Sequence, residues 1–294
     1  MNYKIAIASG KGGTGKTTVS INLFYSLQKV LNQPIQLVDC DAEEPNIHLF
    51  TKGEIQSVTD VNIKIPVIDK EKCVYCGDCA SVCTYNAILF VKSISHIAVL
   101  EDLCHGCGAC SYVCKQPDVI VEKDKKLGEV TTYKLESGNE LVEGKIKIGS
   151  ALAVPVIGQT LKSTNKNALR IIDAPPGTSC PVMETIKDVD YTILVTEPTP
   201  FGLNDLKLMV ETMRKMSGKF GVVINRAGLG DMAIYKYLQE ENIEILMEIP
   251  FDKNLARIYS EGKIMVDEIP VINEKYLQLF EKVKLNLNET NNHS

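Results

Sequence analysis

The sequence lacks tryptophan, has few aromatic residues of any kind, and contains no apolar run near the roughly 18 residues of a membrane-spanning helix. The missing apolar run argues against a transmembrane helix, whereas the lack of tryptophan excludes nothing. Positive charge is not in excess either, since 32 Lys and Arg residues stand against 37 Asp and Glu residues. The resulting net charge of −5 argues against binding to nucleic acid and against stable membrane association.

We expect no signal peptide at the start of the sequence. Residues 1–5 read as the start of a strand, without the charged, apolar and small-residue zones of a secretory signal. We therefore expect the protein to be cytoplasmic. With 294 residues, 45% of them hydrophobic and 23% charged, the composition suits one large globular domain or two modest ones.

Cysteine is abundant and unevenly distributed. Eight of the ten cysteines fall between residues 73 and 114, and only Cys40 and Cys180 lie outside. In a reducing cytosol such a cluster indicates metal or redox chemistry rather than disulfides. The spacing C-x-x-C-x-x-C-x-x-x-C begins at Cys73 and again at Cys104, which is 31 residues later. The repeat predicts an inserted small domain with internal pseudo-symmetry, which we place at residues 64–123.

The rest of the chain alternates between strand-like and helix-like patterns. A strand at 5–8, a helix from 16 to about 31 and a strand at 35–39 precede the insertion. A hairpin over 129–149 and a helix over 152–162 follow it. The next predicted strands lie near 168–172, 191–196, 220–225 and 243–249, and the helices between and after them near 203–217, 231–242 and 252–261. A closing helix at 273–287 lacks a basic face, so we expect it to pack on the core. The pattern predicts an α/β fold with a parallel sheet, divided into segments 1–63 and 124–294.

A glycine-rich loop joins the first predicted strand to the first helix. Residues 10–17, G-K-G-G-T-G-K-T, satisfy the phosphate-binding pattern G-x-x-x-x-G-K-[ST]. The glycines let backbone N–H groups curl around a phosphate, and the helix N-terminus adds partial positive charge. We expect Lys16 to reach the β- and γ-phosphates and the Thr17 hydroxyl to bind Mg²⁺. The other predicted nucleotide contacts of this loop are Gly10, Gly12, Gly13, Thr14, Gly15 and Thr18.

A lysine directly after the first glycine, Lys11, makes this loop resemble the deviant Walker A motif of the MinD/ParA ATPases. That class includes the nitrogenase iron protein and the Mrp-type iron–sulfur carriers. The resemblance implies an ATP-dependent homodimer, or a heterodimer with a related ATPase, in which Lys11 neutralises phosphate charge on the partner subunit. A solvent-exposed loop lysine is the alternative.

Further segments that resemble the same family follow the predicted strands. Asp41 matches the residue that orients the attacking water, and Asp39 is expected nearer the metal. Asp173 and Gly177 match the Walker B and second switch segment, which implies contacts with Mg²⁺ and with the γ-phosphate. The segments that contact the adenine base are matched by Asn225, Arg226 and Pro250.

The repeated cysteine segment resembles the bacterial two-cluster ferredoxins, which implies two 4Fe–4S clusters. In that pattern the fourth cysteine of each segment binds the other segment's cluster. One cluster is then expected on Cys73, Cys76, Cys79 and Cys114, and the other on Cys104, Cys107, Cys110 and Cys83. Thr84 and Lys115 replace the family's proline after each fourth cysteine, which concerns local rigidity rather than the ligands. Zinc sites and disulfides are the alternatives, and His105 is expected to face solvent.

The combination resembles a MinD-type P-loop ATPase with an inserted ferredoxin domain. It implies an ATP-driven dimer cycle coupled to electron transfer through the clusters to a redox partner. The alternative is an ATPase that builds a cluster or delivers it to a client protein. Partitioning is a weaker third reading, because neither a DNA-binding surface nor a membrane helix is visible. For Cys180 and Cys40 the sequence leaves two roles open: a redox or transient metal role, or packing as a small side chain.

Overall fold

The chain divides into two compact units. A computed structural model describes residues 2–288, so Met1, where the strand-like start was predicted, and the last residues of segment 124–294 lie outside the described residues. The larger unit comprises Met1–Thr59, Val130–Lys145 and Ile157–Ser294. The smaller unit comprises Asp60–Glu129 and Ile146–Val156, so it extends beyond the 64–123 of the sequence analysis.

Strands and helices alternate along most of the described chain. The strands are β1 (Lys4–Ala8), β2 (Ile35–Asp39), β3 (Gly53–Ile68), β4 (Ile88–Val91), β5 (His96–Val99), β6 (Ile120–Leu135), β7 (Glu140–Ile146), β8 (Leu169–Asp173), β9 (Tyr191–Thr196), β10 (Phe220–Ala227) and β11 (Ile245–Pro250). The helices are α1 (Lys16–Gln28), α2 (Asp78–Ser81), α3 (Ala109–Val113), α4 (Ala153–Lys162), α5 (Cys180–Ile186), α6 (Pro200–Lys215), α7 (Ala233–Glu240), α8 (Lys253–Ser260), α9 (Met265–Glu268) and α10 (Pro270–Asn288). None of these helices is long and apolar enough to cross a membrane.

Nine of the described strands form one sheet in the order β11-β10-β9-β1-β8-β2-β7-β6-β3. Strand β1 pairs in parallel with β8 on one side and with β9 on the other, and β2 pairs in parallel with β8. Residues 5–8 of β1 are fully buried, as expected of a central strand in a parallel sheet covered on both faces. The predicted α/β fold with a parallel sheet is thereby confirmed. Because the strand order reverses at β1, the loop after β1 opens where such sheets bind ligands.

The core of the larger unit lies between the sheet and helices that include α1 and α10. Phe24 on α1 and Tyr276 and Phe280 on α10 are buried in it. The expected packing role of the closing helix is therefore confirmed. Helix α1 ends at Gln28 rather than near residue 31, because the chain tightens into a turn there and the Val30 N–H donates to the Leu27 carbonyl.

The smaller unit is built from short elements around its cysteines. Strands β4 and β5 pair antiparallel, and α2 and α3 each occupy the interval between the second and fourth cysteine of one repeat. Backbone conformation repeats together with the sequence, because φ is positive at Tyr75 and at Gly106, and again at Gly77 and at Gly108. Each pair is 31 residues apart, so the sequence repeat is also a repeat of local structure.

Candidate functional site

The loop after β1 leads into α1, and no side chain caps the first turn of this helix. Gly13 and Gly15 adopt φ values of 75° and 97°, a region that L side chains rarely adopt. A Cβ on Gly15 would lie only 2.3 Å from Asn225 Nδ2, which itself donates to the Thr14 carbonyl at 2.8 Å. The first backbone amides of α1 therefore have no side-chain acceptor and form a site suited to an anion.

A cavity of about 490 Å³ opens beside this loop, which is a volume typical of small-molecule sites. The residues of the sequence analysis that line it are Gly12, Gly13, Gly15, Lys16, Thr17, Thr18, Asp41, Asn225, Arg226 and Pro250. Phe251, Leu255 and Tyr259 complete its apolar wall. Gly10 instead packs against Asp205, where a Cβ would approach the Asp205 carbonyl to 2.6 Å.

A hydroxyl and a carboxylate meet at the base of the loop. Thr17 Oγ1 donates to Asp173 Oδ2 at 2.7 Å, and Ser20 Oγ donates to Asp173 Oδ1 at 2.8 Å. Burial raises the pKa of Asp173, against the hydrogen bonds from Thr17 and Ser20 and the charge of Lys16. These are oxygen ligands of the kind that Mg²⁺ prefers. Ser20 was missed in the sequence because a serine inside a helix carries no signal of its own.

Asp39 binds the backbone of the segment that follows it. Its Oδ1 accepts the N–H of Asp41 at 3.0 Å, and its Oδ2 accepts the N–H groups of Asn46 and Ile47 at 3.1 and 3.2 Å. Burial raises the pKa of Asp39 well above its ordinary value, and the neighbouring Asp173 raises it further. The hydrogen-bond partners of Asp39 are thus amides of the segment around Asp41, and its carboxylate is also close enough to Asp173 for the two charges to interact.

Asp41 itself lines the cavity and is partly buried. Burial raises its pKa to about 6, against the lowering effect of Lys16. The same segment has a second anchor that sequence reasoning missed, because His48 Nδ1 lies 2.6 Å from Glu143 Oε2 on β7. The Gly177 N–H, predicted to face the γ-phosphate, donates to the Ser9 carbonyl at 3.0 Å.

Lys11 is paired within its own chain. Its Nζ lies 2.5 Å from Glu197 Oε1, and Arg226 Nη1 lies 2.7 Å from Glu197 Oε2. Burial raises the pKa of Glu197, but hydrogen bonds and charge from Lys11 and Arg226 outweigh it and hold that pKa below its ordinary value. The Lys11 side chain is thus partly exposed and paired with a carboxylate of its own chain. Glu197 was missed, although it directly follows β9, the strand beside β1.

Two cavities in the smaller unit divide the eight cysteines between them. One cavity, of about 220 Å³, is lined by Cys73, Cys76, Cys79 and Cys114 together with apolar residues. The other is lined by Cys83, Cys104, Cys107 and Cys110. The structure therefore groups three cysteines of one repeat with the fourth cysteine of the other.

The surroundings of these thiols suit ligands of a cluster. Backbone N–H groups donate to cysteine sulfur at equivalent places in the two repeats: Tyr75 to Cys73 Sγ at 3.4 Å and Gly106 to Cys104 Sγ at 3.5 Å. Burial raises the pKa of Cys79 to about 11, so this thiol keeps its proton until a metal displaces it. Among the described residues, no three His, Cys, Asp or Glu side chains are grouped tightly enough for a single metal ion. The thiolates of a cubane each bind a different iron and stand farther apart.

Of the remaining sequence candidates, His105 lines the cavity of Cys83, Cys104, Cys107 and Cys110, whereas Cys40 and Cys180 belong to the larger unit. His105 is exposed, as expected, and its ring stacks on Tyr85 with the ring centroids 3.7 Å apart. Cys180 is exposed at the start of α5, whereas Cys40 is fully buried and burial raises its pKa. The full burial of Cys40 suits packing.

Comparison with known proteins identifies the class to which this fold and nucleotide site belong. Residues 5–266 match the family model described as the CobQ/CobB/MinD/ParA nucleotide binding domain. The chain belongs to this family and is a P-loop ATPase of the MinD/ParA type.

Similar sequences are found in archaea. The uncharacterized protein MJ0579 of Methanocaldococcus jannaschii is 33% identical over 263 residues, which cover 88% of this chain and 90% of that protein. The iron-sulfur cluster carrier protein of Pyrococcus horikoshii is 25% identical over 308 residues, which cover 98% of this chain and 87% of the carrier.

Solved structures share the fold. The septum site-determining protein MinD of Pyrococcus horikoshii, in complex with Mg-ADP, aligns with a TM-score of 0.56 and 21% identity over 96% of each chain. The cell division ATPase MinD of Pyrococcus furiosus aligns with a TM-score of 0.57 and 20% identity, over 97% of this chain and 99% of that one.

Proposed function

We propose that this ATPase couples an ATP-driven dimer cycle to electron transfer through two 4Fe–4S clusters that its smaller unit binds. The observation that carries the proposal is the division of eight cysteines into two cavities of four, in the same chain as a nucleotide site. Four thiols per cavity complete the protein ligands of a cubane, so each cluster would be a resident group. Such clusters accept and release single electrons at potentials set by charge, hydrogen bonds and exposure.

In the nucleotide site, Lys16 is assigned to the β- and γ-phosphates, and Thr17 with Asp173 to Mg²⁺. The adjacency of the Thr17 hydroxyl and the Asp173 carboxylate supports this assignment. Asp41 orients the attacking water, which its place on the cavity wall and its raised pKa favour. The other roles assigned are phosphate binding by residues 10–15 and Thr18, contact with the γ-phosphate by Gly177, and contact with the adenine base by Asn225, Arg226 and Pro250.

Two ATP-bound subunits form the active species, as two copies of this chain or as this chain with a related ATPase. Lys11 then contacts phosphate across the interface, which is the role of an arginine finger supplied in trans. The redox partner binds the dimer in one nucleotide state more tightly than in the other. A nucleotide can bias electron transfer only through such a difference in binding free energy.

A second candidate function is the assembly or delivery of a cluster to a client protein. The name of the Pyrococcus horikoshii relative, iron-sulfur cluster carrier protein, favours it. The burial of three cysteines, Cys79, Cys104 and Cys110, favours electron transfer instead, because a cluster handed to a client needs accessible ligands.

A retention experiment distinguishes the two functions. The protein is purified anaerobically and incubated with an apo-ferredoxin, with and without MgATP, and a separate nucleotide-free sample is incubated with EDTA. Iron and acid-labile sulfide are then measured. We expect about eight irons and eight sulfides per chain, retained through ATP turnover. Transfer of iron to the apo-ferredoxin that requires MgATP and is lost in the Lys16→Ala variant would establish delivery. Stoichiometric zinc without visible sulfide-to-iron absorbance would refute both.

A further inference from the structure

Two cations share one buried carboxylate beside the phosphate loop. The Glu197 side chain is only 9% exposed, and each of its oxygens contacts a different cation, Lys11 on one side and Arg226 on the other. Lys11 is therefore held by an acceptor within its own chain. The geometry defines a three-residue cluster that we call the Glu197 clasp: Lys11, Glu197 and Arg226.

The clasp is fixed by its backbone surroundings. The Thr199 N–H donates to the Glu197 carbonyl at 2.8 Å, and a Cβ on Gly202 would lie 2.2 Å from that carbonyl, so the turn after β9 is tightly packed. Arg226 adopts a φ of 54°, an unusual conformation for a side chain of this size. Its guanidinium also reaches the Gly13 carbonyl at 3.4 Å. The turn after β9 thus places Glu197, and the end of β10 places Arg226, beside the phosphate loop that carries Lys11.

While it is paired with Glu197, Lys11 is not among the residues that line the nucleotide cavity, so contact with a phosphate requires it to leave Glu197. If Lys11 were the sole partner of Glu197, its departure would leave a buried carboxylate without compensation, which is strongly unfavourable. Arg226 remains on the second oxygen, so the carboxylate stays paired when Lys11 leaves. The cluster therefore permits an exchange of Lys11 between two anions.

We propose that Glu197 binds Lys11 when no phosphate is in reach. Because Arg226 stays paired with Glu197, it favours the transfer of Lys11 from Glu197 to nucleotide phosphate. Glu197 is a positioning residue, since it acts on the phosphate through Lys11. Arg226, assigned above to the adenine base, has this second effect through Glu197. This inference rests on the proposed contact between Lys11 and phosphate, and it adds that Glu197 competes with the phosphate for Lys11. It applies whether the phosphate belongs to the same subunit or to the partner.

The test combines single and double variants in a binding assay. The dissociation constant of MgATP is measured, with a fluorescent ATP analogue as probe, for wild type, Glu197→Gln, Arg226→Gln and the double variant. We expect Glu197→Gln to bind about tenfold more tightly, because the competitor has lost its charge. Arg226→Gln should bind about tenfold more weakly, because Lys11 is then needed on Glu197. Arg226→Gln should weaken binding much less in the Glu197→Gln background than in wild type, since no carboxylate remains to trap Lys11.

Two controls separate this coupling from general structural damage. In a Lys11→Ala background, Glu197→Gln should no longer change the affinity for MgATP. The exposed pair Arg214–Glu241, with 2.6 Å between its charged atoms, provides a matched ion pair whose Gln variants should bind MgATP as wild type does. Arg226→Lys keeps the charge and should also restore binding if Arg226→Gln proves unstable in a thermal melt.

Two outcomes would overturn the proposal. Equal weakening by Arg226→Gln with and without the Glu197 carboxylate would mean that Arg226 acts only through its own contact with nucleotide and has no effect on Lys11. Weaker binding in Glu197→Gln would mean that Glu197 supports Lys11 rather than competing for it. Neither result bears on the iron and sulfide content, which tests the proposed function separately.

Discussion

Replacing Asp41 by asparagine is expected to stabilise the protein and to abolish ATP hydrolysis. Burial raises the pKa of Asp41 from 3.8 to about 6, so the folded state favours its protonated form. The ionised carboxylate therefore costs stability above pH 6, and this cost disappears as the pH falls below the unfolded pKa near 4. A difference of about two pH units corresponds to about 3 kcal/mol at most. Because the carboxyl is only partly buried, we expect about 1–2 kcal/mol after screening.

Thermal denaturation of the nucleotide-free protein at pH 8 and at pH 5 measures this cost. At pH 8 the melting temperature of the Asn variant should exceed that of wild type by roughly 2–4 °C for each kcal/mol of added stability. This difference in melting temperature should be smaller at pH 5. Asp188→Asn, which removes an exposed carboxylate on the same unit, should change neither melt. An Asn variant that is no more stable at pH 8, or equally stabilised at both pH values, would refute the burial argument. Full ATPase activity in that variant would remove Asp41 from its assigned role.

Three further substitutions test separate parts of the account. Cys114→Ala should perturb the cluster of the first repeat, leaving a three-iron form in EPR spectra and sparing the cluster of its own repeat; loss of the latter alone would reject the crossed ligand sets. Gly15→Ala should weaken MgATP binding at least about tenfold in titrations, whereas Gly138→Ala, also at positive φ but with open space around its Cβ, should bind normally. Phe24→Ala should lower the unfolding free energy in urea by about 3–5 kcal/mol, against less than about 0.5 kcal/mol for the exposed Leu285→Ala; a small loss at Phe24 would contradict its burial.

Local patterns predicted the central part of the fold well. Strand β1, the phosphate loop and the later strands of the sheet each carry a continuous apolar run or a motif that is complete in sequence. Strand β3 was missed, because its first eight residues are all exposed and carry no alternation of apolar and polar residues. The hairpin predicted over 129–149 covers only the second half of the 16-residue strand β6. Helix α5 was missed as well, since its seven residues are too few to establish a helical period.

The site could be predicted where ligands are close in sequence. Lys16 and Thr17 belong to one contiguous motif, and the spacing of the cysteines within each repeat is itself the signal that predicts them as ligands. Contacts that depend on strand order could not be found in this way, because only the sheet brings β9 beside β1 and β7 beside β2. That is why Glu197, the partner of Lys11, and Glu143, the partner of His48, emerge only from the folded chain.

The central claim is that nucleotide binding and the clusters are energetically linked, and a potentiometric EPR titration tests it most directly. The midpoint potentials of both clusters are measured without nucleotide, with MgADP and with MgATP, using Lys16→Ala as the variant that should not respond. Reciprocity of linkage requires that a tenfold preference of MgATP for one redox state moves a potential by about 59 mV. The account predicts a shift of that order in at least one cluster with MgATP in wild type only. Identical potentials under all three conditions, with nucleotide shown to be bound, would contradict it.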